Sequence, residues 1–180
     1  MRKLSNEELN RISKEEFKSK PKTPVVIVLD NVRSMNNVGS IFRTADAFLL
    51  EGIYLCGITA YPPHREIEKT ALGATSTVAW KYFSKTIEAI EQLKKDGYEI
   101  LSVEQTDSSV PLNKFPVSPE IKYALIFGHE MNGISEEVIQ ASDFSLEVPQ
   151  YGTKHSLNIA VCAGIVVWEF YSEINGNMQK

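Results

Sequence analysis

The first sustained apolar block, Val25-Val-Ile-Val-Leu29, is continuous rather than alternating, which predicts a strand buried on both faces. Upstream, Asn6 to Lys18 reads as a helix that Pro21-Lys-Thr-Pro24 stops. Downstream, Ile41, Phe42, Ala45, Phe48 and Leu49 recur at helical spacing, Gly52 breaks the pattern, and Ile53 to Ile58 reads as a strand, making a β-α-β unit. Thr59 to Ile67, with Pro62-Pro63, is a loop; Thr86 to Lys95 is an amphipathic helix closed by Asp96-Gly97; Tyr98 to Val103 is a strand. Thr106 to Pro119, rich in Ser, Pro and Asp, runs over the surface, and Tyr123 to Phe127 is a strand ending at Gly128. Helix Glu136 to Ala141 and strand Phe144 to Val148 follow. Leu157 to Tyr171 is apolar on nearly all sides: its Val and Ile content suits a strand, but its length favours a helix buried on every face, which needs a partner surface. Strands and helices alternating in this way predict an α/β domain with a mainly parallel sheet.

Three polar segments stand at strand ends, where open α/β sheets bind ligands. In Asp30 to Asp46, Asn37 is placed to cap a helix. Arg43 lies about 200° around that helix from Ile41 and about 100° from Phe42, off the apolar face. Either Asn37 only caps and Arg43 pairs with Asp46 or Asp30, or both serve a ligand. Gly128-His-Glu-Met-Asn-Gly133 follows a strand, with Ser135 placed to cap the next helix. It has the G-x-x-x-x-G spacing, but Ile134-Ser135 replaces the Lys-Ser/Thr that holds phosphate and magnesium, so it is not a P-loop, and no G-x-G-x-x-G is present. What remains is a glycine-bounded turn carrying His129 and Glu130, shaped either for a tight bend or for close ligand approach. In Val148 to Asn158, Ser156 and Asn158 sit at the mouth of the most apolar helix. Ser156 is placed to cap it, which leaves Asn158 without a task although an unpaired buried amide costs about 1–3 kcal/mol.

Composition narrows the function classes. With 43% hydrophobic and 23% charged residues among 180, the chain suits one domain with one sizeable core. The start lacks an apolar targeting segment, and the run Ile159 to Trp168 is too short to span a bilayer, so a cytoplasmic protein without membrane partners is expected. Cys56 and Cys162 lie in apolar stretches without metal-ligand spacing and are expected to be free buried thiols; no metal site is expected. His64 and His155 lack dyad partners, which excludes a hydrolase triad. The net charge of −4 argues against nucleic acid. Residues 1–22, however, carry seven Lys/Arg against four acids, a surplus of +3, and form either a solvated helix or an RNA-gripping arm.

Taken together, the three segments resemble the three motifs of the SpoU (TrmH-like) branch of the SPOUT methyltransferases, in the same order and at similar spacing. Asn37-Val-Gly-Ser-Ile-Phe-Arg-Thr-Ala-Asp-Ala-Phe48 resembles the first motif, Ala124 to Ser135 the second, and Val148 to Asn158 with its apolar helix the third. The resemblance covers Pro24 to Tyr171, with 1–23 as a short helical extension to a domain at 24–180. It implies an α/β-knot: a mainly parallel sheet, helices on both faces, and a C-terminal trefoil knot that topology rules alone would not suggest. It implies S-adenosylmethionine as cofactor, held by Gly128, Val148 and Leu157 with Ile126 and Gln150 beside them, Gly128 letting the ligand approach its backbone. It further implies Arg43 as the catalytic arginine, with Asn37, Glu130, Ser156 and Asn158 as the other polar active-site residues, and a homodimer with active sites at the subunit interface.

The expected activity is methyl transfer to a ribose 2′-hydroxyl of tRNA or rRNA. The short stretch before the first strand tilts the expectation toward tRNA. His129 and Asn36 depart from the family pattern, where a small or amide residue and a histidine are common. The competing readings are a non-catalytic RNA-binding or assembly protein that kept the fold, and a methyltransferase acting on a small molecule or protein.

Overall fold

The computed structural model describes residues 1–5, 7–9 and 11–176. Seven strands form one sheet: β1 (Thr23–Asp30), β2 (Leu50–Cys56), β3 (Trp80–Phe83), β4 (Tyr98–Val103), β5 (Val110–Pro111), β6 (Lys122–Phe127) and β7 (Phe144–Glu147). The spatial order is β3-β2-β1-β6-β4-β7-β5, and every neighbouring pair is parallel. From β1 the chain winds outward through β2 and β3, then returns across the sheet to β4. The reversal leaves room for a crevice at the carboxyl ends of the strands beyond β1.

A parallel sheet must be covered on both faces, and side chains alternate along each strand to meet both covers. Val25, Ile27 and Leu29 of β1 enter one core with Ile41 and Phe42 of α2 (Met35–Ala47) and Ala163, Val166 and Phe170 of α6 (Ile159–Gly176). Val26 and Val28 enter the other with Ala89, Ile90 and Leu93 of α4 (Thr86–Lys95) and Val138 of α5 (Glu136–Ala141). Phe170 packs edge-on against Tyr123, with ring centroids 5.0 Å apart.

Several elements differ from the sequence expectation. The helix expected over Asn6 to Lys18 is a 3-10 turn at Glu7–Leu9 followed by α1 (Lys14–Ser19); Asn6 and Asn10 lie outside the described residues. The restart has a local cause. Ser13 Oγ accepts from the Glu16 N–H at 3.1 Å while Glu16 accepts from the Ser13 N–H at 2.7 Å, a capping box that begins a helix there. Phe17 of α1 is buried against the main core.

Gly52 does not end α2. Leu49 adopts a left-handed conformation (φ 51°), and Gly52 lies inside β2, where an added Cβ would stand 2.9 Å from the Ala79 carbonyl oxygen. The Thr59 to Ile67 loop ends early in α3 (Arg65–Ala71), which His64 caps by accepting the Glu66 N–H at its Nδ1. The α6 helix is not buried on every face, since Val161, Ile165 and Trp168 are 53%, 40% and 55% exposed.

Helices α2 and α3 approach through Gly39, where a Cβ would lie 2.1 Å from Thr70 Oγ1 and 2.2 Å from the Ile67 carbonyl oxygen. Backbone cannot yield as a flexible side chain can. The Gly39→Ala variant should therefore lose about 1–3 kcal/mol in urea unfolding, whereas alanine at Gly164, with nothing nearby, should cost no stability.

Candidate functional site

The loop leaving β1 turns into α2 through Ser34, whose Oγ accepts the Asn37 N–H at 3.3 Å. Ser34 is thus the cap, not Asn37, and the Asn37 carboxamide is released for another use. Its Nδ2 donates to Glu130 Oε1 at 3.2 Å, and its Oδ1 accepts from Asn158 Nδ2 at 3.2 Å. Asn158 in turn caps α6, its Oδ1 accepting the Ala160 and Val161 N–H groups at 2.9 and 3.3 Å. Ser156, placed by the sequence to cap this helix, is exposed and stands before the true cap. One chain of amides therefore joins the first and third motifs.

Glu130 closes the set. Its two carboxylate oxygens accept the N–H groups of Arg33 at 3.0 Å and Ser34 at 2.9 Å, at the opening of α2, where helix geometry leaves donors unpaired. Burial, the largest single influence, pushes its pKa up. The Arg33 and Ser34 N–H groups, its own N–H and the Asn37 amide together outweigh burial and hold Glu130 below the usual carboxylate range.

Beside this network, a cleft of about 600 Å³ opens over the carboxyl ends of β4, β6 and β7. Its wall includes Gly128, Val148, Gln150 and Leu157, and at its edge Glu130, Ser156 and Asn158. Ile126 is not part of the wall; its side chain is fully buried in the α4–α5 core. The volume and mixed lining suit a nucleoside-sized ligand. Gly128 has a reason of its own to lack a side chain: an added Cβ would lie 2.4–2.5 Å from the backbone of Gly133 and Ile134. The Gly128–Gly133 turn closes through paired His129 and Gly133 backbone hydrogen bonds of 3.0 and 2.8 Å. His129 Nδ1 accepts the N–H groups of Met131 and Asn132, so this departure from the family pattern shapes the turn. Asn36 lends its carbonyl oxygen to the Thr70 hydroxyl at 3.0 Å.

Arg43 stands apart from the wall, exposed on α2 over a second depression lined by Ser40, Thr44, Lys69, Thr70 and Leu72. Among the described residues its guanidinium forms no hydrogen bond or ion pair. The partners that the sequence offered are engaged elsewhere: Asp46 accepts the Thr77 hydroxyl, and Asp30 accepts the Thr86 hydroxyl and the Asn31 amide. The cation is thus available for an anion from outside the chain.

Glu104, at the end of β4, escaped the sequence reading because it belongs to no motif. Its Oε2 accepts the Ile134 N–H at 3.0 Å and would meet any Cβ on Gly133 at 2.3 Å, so it braces the glycine turn from the cleft side. Burial pushes the Cys162 thiol, on the cleft wall, up to about 11 and the Cys56 thiol up to about 12; both act as apolar groups. The two cysteines are free, Cys56 buried and Cys162 partly so. Among the described residues no cluster of His, Cys, Asp and Glu is arranged to hold a metal ion, and no helix is long and apolar enough to cross a membrane.

Residues 24–168 match the family model described as the SpoU rRNA Methylase family. The chain belongs to this family. A TrmH family protein of Staphylococcus haemolyticus is 27% identical over 154 residues, 86% of this chain and 61% of that protein. The tRNA (guanosine(18)-2′-O)-methyltransferase of Borreliella burgdorferi is 28% identical over 144 residues, 80% of this chain and 64% of that enzyme. The chain thus spans about three fifths of the length of these relatives. Among solved structures, the A. aeolicus TrmH/SpoU tRNA modifying enzyme superposes with a TM-score of 0.81 at 23% identity, covering 92% of this chain and 82% of that one, a likeness of fold. The AdoMet-bound rRNA methyltransferase of Sinorhizobium meliloti superposes with a TM-score of 0.75 at 26% identity, covering 89% and 60%. The seven-stranded parallel sheet thus has the fold of these solved structures.

Because its folded-state pKa is depressed, Glu130 stabilises the fold above its unfolded pKa of about 4.3, and this stabilisation is lost as pH falls through the lower folded value. Glu130→Gln should cost about 0.5–1.5 kcal/mol at pH 7, the range for a partly exposed hydrogen-bonded group. The gap between wild type and variant should close in urea titrations at pH 3.

Proposed function

We propose that this protein transfers a methyl group from S-adenosylmethionine to a ribose 2′-hydroxyl of tRNA or rRNA. The observation that carries this reading is the hydrogen-bonded convergence of the three family motifs, through Glu130, Asn37 and Asn158, beside one cleft of nucleoside size. The cleft fits the cofactor. The Gly128–Gly133 turn, Val148, Gln150 and Leu157 would hold it, chiefly through backbone, while Ile126 supports the wall from the core behind it. The C-terminal segments around the cleft would form the knot that the family resemblance implies. The named activities of the Borreliella and Sinorhizobium relatives support the two RNA classes.

When bound, S-adenosylmethionine supplies an electrophilic sulfonium methyl. A ribose hydroxyl is a poor nucleophile near neutral pH, so it must shed its proton as it attacks. Arg43, a guanidinium without an internal partner, would sit by the hydroxyl and an RNA phosphate, stabilise the developing alkoxide and relay the proton. It would give one of its own N–H protons to a phosphate oxygen or water as it takes up the hydroxyl's. The Asn37 and Asn158 amides and the Ser156 hydroxyl would orient the sugar, with Glu130 fixing Asn37. A homodimer completes the reading: Val161, Ile165 and Trp168 form an exposed apolar stripe on α6, and Trp168 packs on Phe48 of the chain leaving α2, the helix that bears Arg43. A dimer through this surface would bring Arg43 to a cleft at the subunit interface. The protein would work in the cytoplasm.

Arg43→Ala should lower methylation of RNA by about 100- to 1000-fold while calorimetry shows S-adenosylmethionine binding within about threefold of wild type. Tritium from labelled S-adenosylmethionine appearing in protein rather than RNA would refute the assignment of substrate. Trp168→Glu should convert a dimer to a monomer in light scattering at micromolar concentration; a monomeric wild type would refute the dimer.

A further inference from the structure

Outside the cleft and the network, the loop after β2 and the edge strand β3 expose an aromatic surface. Tyr61 and Tyr82 are 50% and 43% exposed, their ring centroids 4.8 Å apart, and Tyr61 also stacks on Trp80 at 6.1 Å with an interplanar angle of 25°. Tyr82 donates its hydroxyl to the Gly57 carbonyl oxygen at 2.9 Å, which holds the ring in place before any ligand arrives. Tyr61 in turn packs between this tethered ring and Trp80.

This surface continues directly from the proposed active site. Asn31 Oδ1 accepts the Ile58 N–H at 3.2 Å, and Thr59 Oγ1 accepts the Val32 N–H at 2.9 Å, which ties the loop after β2 to the loop after β1. The next residues of that loop, Arg33 and Ser34, are those whose N–H groups hold Glu130.

Charge points the same way. Residues 31–37, 57–65 and 79–87 together carry Arg33, Arg65, Lys81 and Lys85 and no Asp or Glu, in a chain whose net charge is −4. Arg33 and Arg65 are exposed, and among the described residues their side chains form no hydrogen bond or ion pair. Lys81 lies on the opposite face of β3, over Tyr54. Flat aromatic faces beside unpaired cations match an unpaired nucleobase and its phosphates, whereas an apolar peptide side chain calls for an enclosed pocket.

We infer that Tyr61, with Tyr82 tilted 49° against it as a side wall, forms a stacking platform for an unpaired nucleobase of the RNA substrate, with Arg33 and Arg65 taking its phosphates. The platform rests on the reading of the protein as an RNA methyltransferase. It explains how an acidic protein holds RNA: stacking supplies binding that net charge does not, and Arg33 and Arg65, exposed and unpaired, stand in the same loops as the rings. Any nucleobase offers a face to stack, so the platform positions RNA next to the cleft without specifying its sequence.

The test uses the full chain and a fluorescein-labelled oligouridine RNA of 12 nucleotides, compared with an oligomer of equal length lacking every base. By anisotropy, Tyr61→Ala should weaken oligouridine binding about 5- to 100-fold and leave the abasic oligomer unaffected. Tyr61→Phe, which keeps the ring, should stay within about twofold, and Arg33→Gln should weaken both oligomers and flatten the salt dependence. Unchanged oligouridine binding by Tyr61→Ala, or equal losses for both oligomers, would overturn the platform, as would a dimer that Tyr61→Ala dissociates, since the patch would then face a second copy. Methyl transfer to total cellular RNA, measured in parallel, separates the two readings. Transfer by wild type with unaltered Tyr61→Ala binding removes the platform alone, and base-dependent binding without any transfer removes the methylation alone.

Discussion

Helix α2 opens with backbone N–H groups that the helix itself cannot satisfy, and the acceptor that meets them comes from 96 residues away along the chain. Glu130 takes the Arg33 and Ser34 N–H groups and the Asn37 amide, and Asn37 reaches on to the residue that caps α6. Three loops that follow different strands are locked together, the first two by the acceptor that the α2 start needs and the third by the amide hydrogen bond from Asn158 to Asn37. Among the described residues no buried side-chain polar atom lacks a partner. The side of the cleft that carries Glu130, Asn37 and Asn158 is thereby preorganised, because these three side chains hold one another in place.

Sterics set the rest of the cleft. Gly128 and Gly133 permit a turn so tight that a methyl group at either would collide with backbone or with the Glu104 carboxylate. Gly39 permits α3 to lie against α2, and so sets the floor of the depression beneath Arg43. Gly128, read from sequence as room for a ligand, also makes room for the protein's own backbone. The ligand benefits indirectly, since the turn that glycine allows leaves an open cavity beside it.

Charge and exposure then divide the surface. The apolar stripe of α6 and the aromatic cluster of Phe48, Trp168 and Tyr171 form one side, suited to a second subunit. The tyrosines and unpaired arginines by the loops after β1 and β2 form another, suited to nucleic acid. The basic N-terminal segment is tied down in part, with Phe17 buried and the Lys22 ammonium over its ring, 3.9 Å from the centroid.

The sequence by itself determined the class of fold and the order of its main elements. Val25 to Leu29, Tyr123 to Phe127 and the periodic residues of α2 and α4 are long and apolar enough that burial leaves them one choice. The short pieces were illegible for the same reason: α3 buries only Ile67 and Ala71, and β3 is an edge strand without a fully buried residue, so neither leaves a periodic trace. The motifs were legible as a set, yet the duties within them were not. Asn37 and Ser156 looked like caps, and Ser34 and Asn158 took those positions, because a cap depends on where backbone angles turn helical, and candidates stand two or three residues apart. Only the tertiary structure decided that Asn37 bridges two loops, that Glu104 braces the glycine turn, and that Arg43 is left without a partner. Each of these depends on distances between residues far apart in the chain, which local pattern cannot encode.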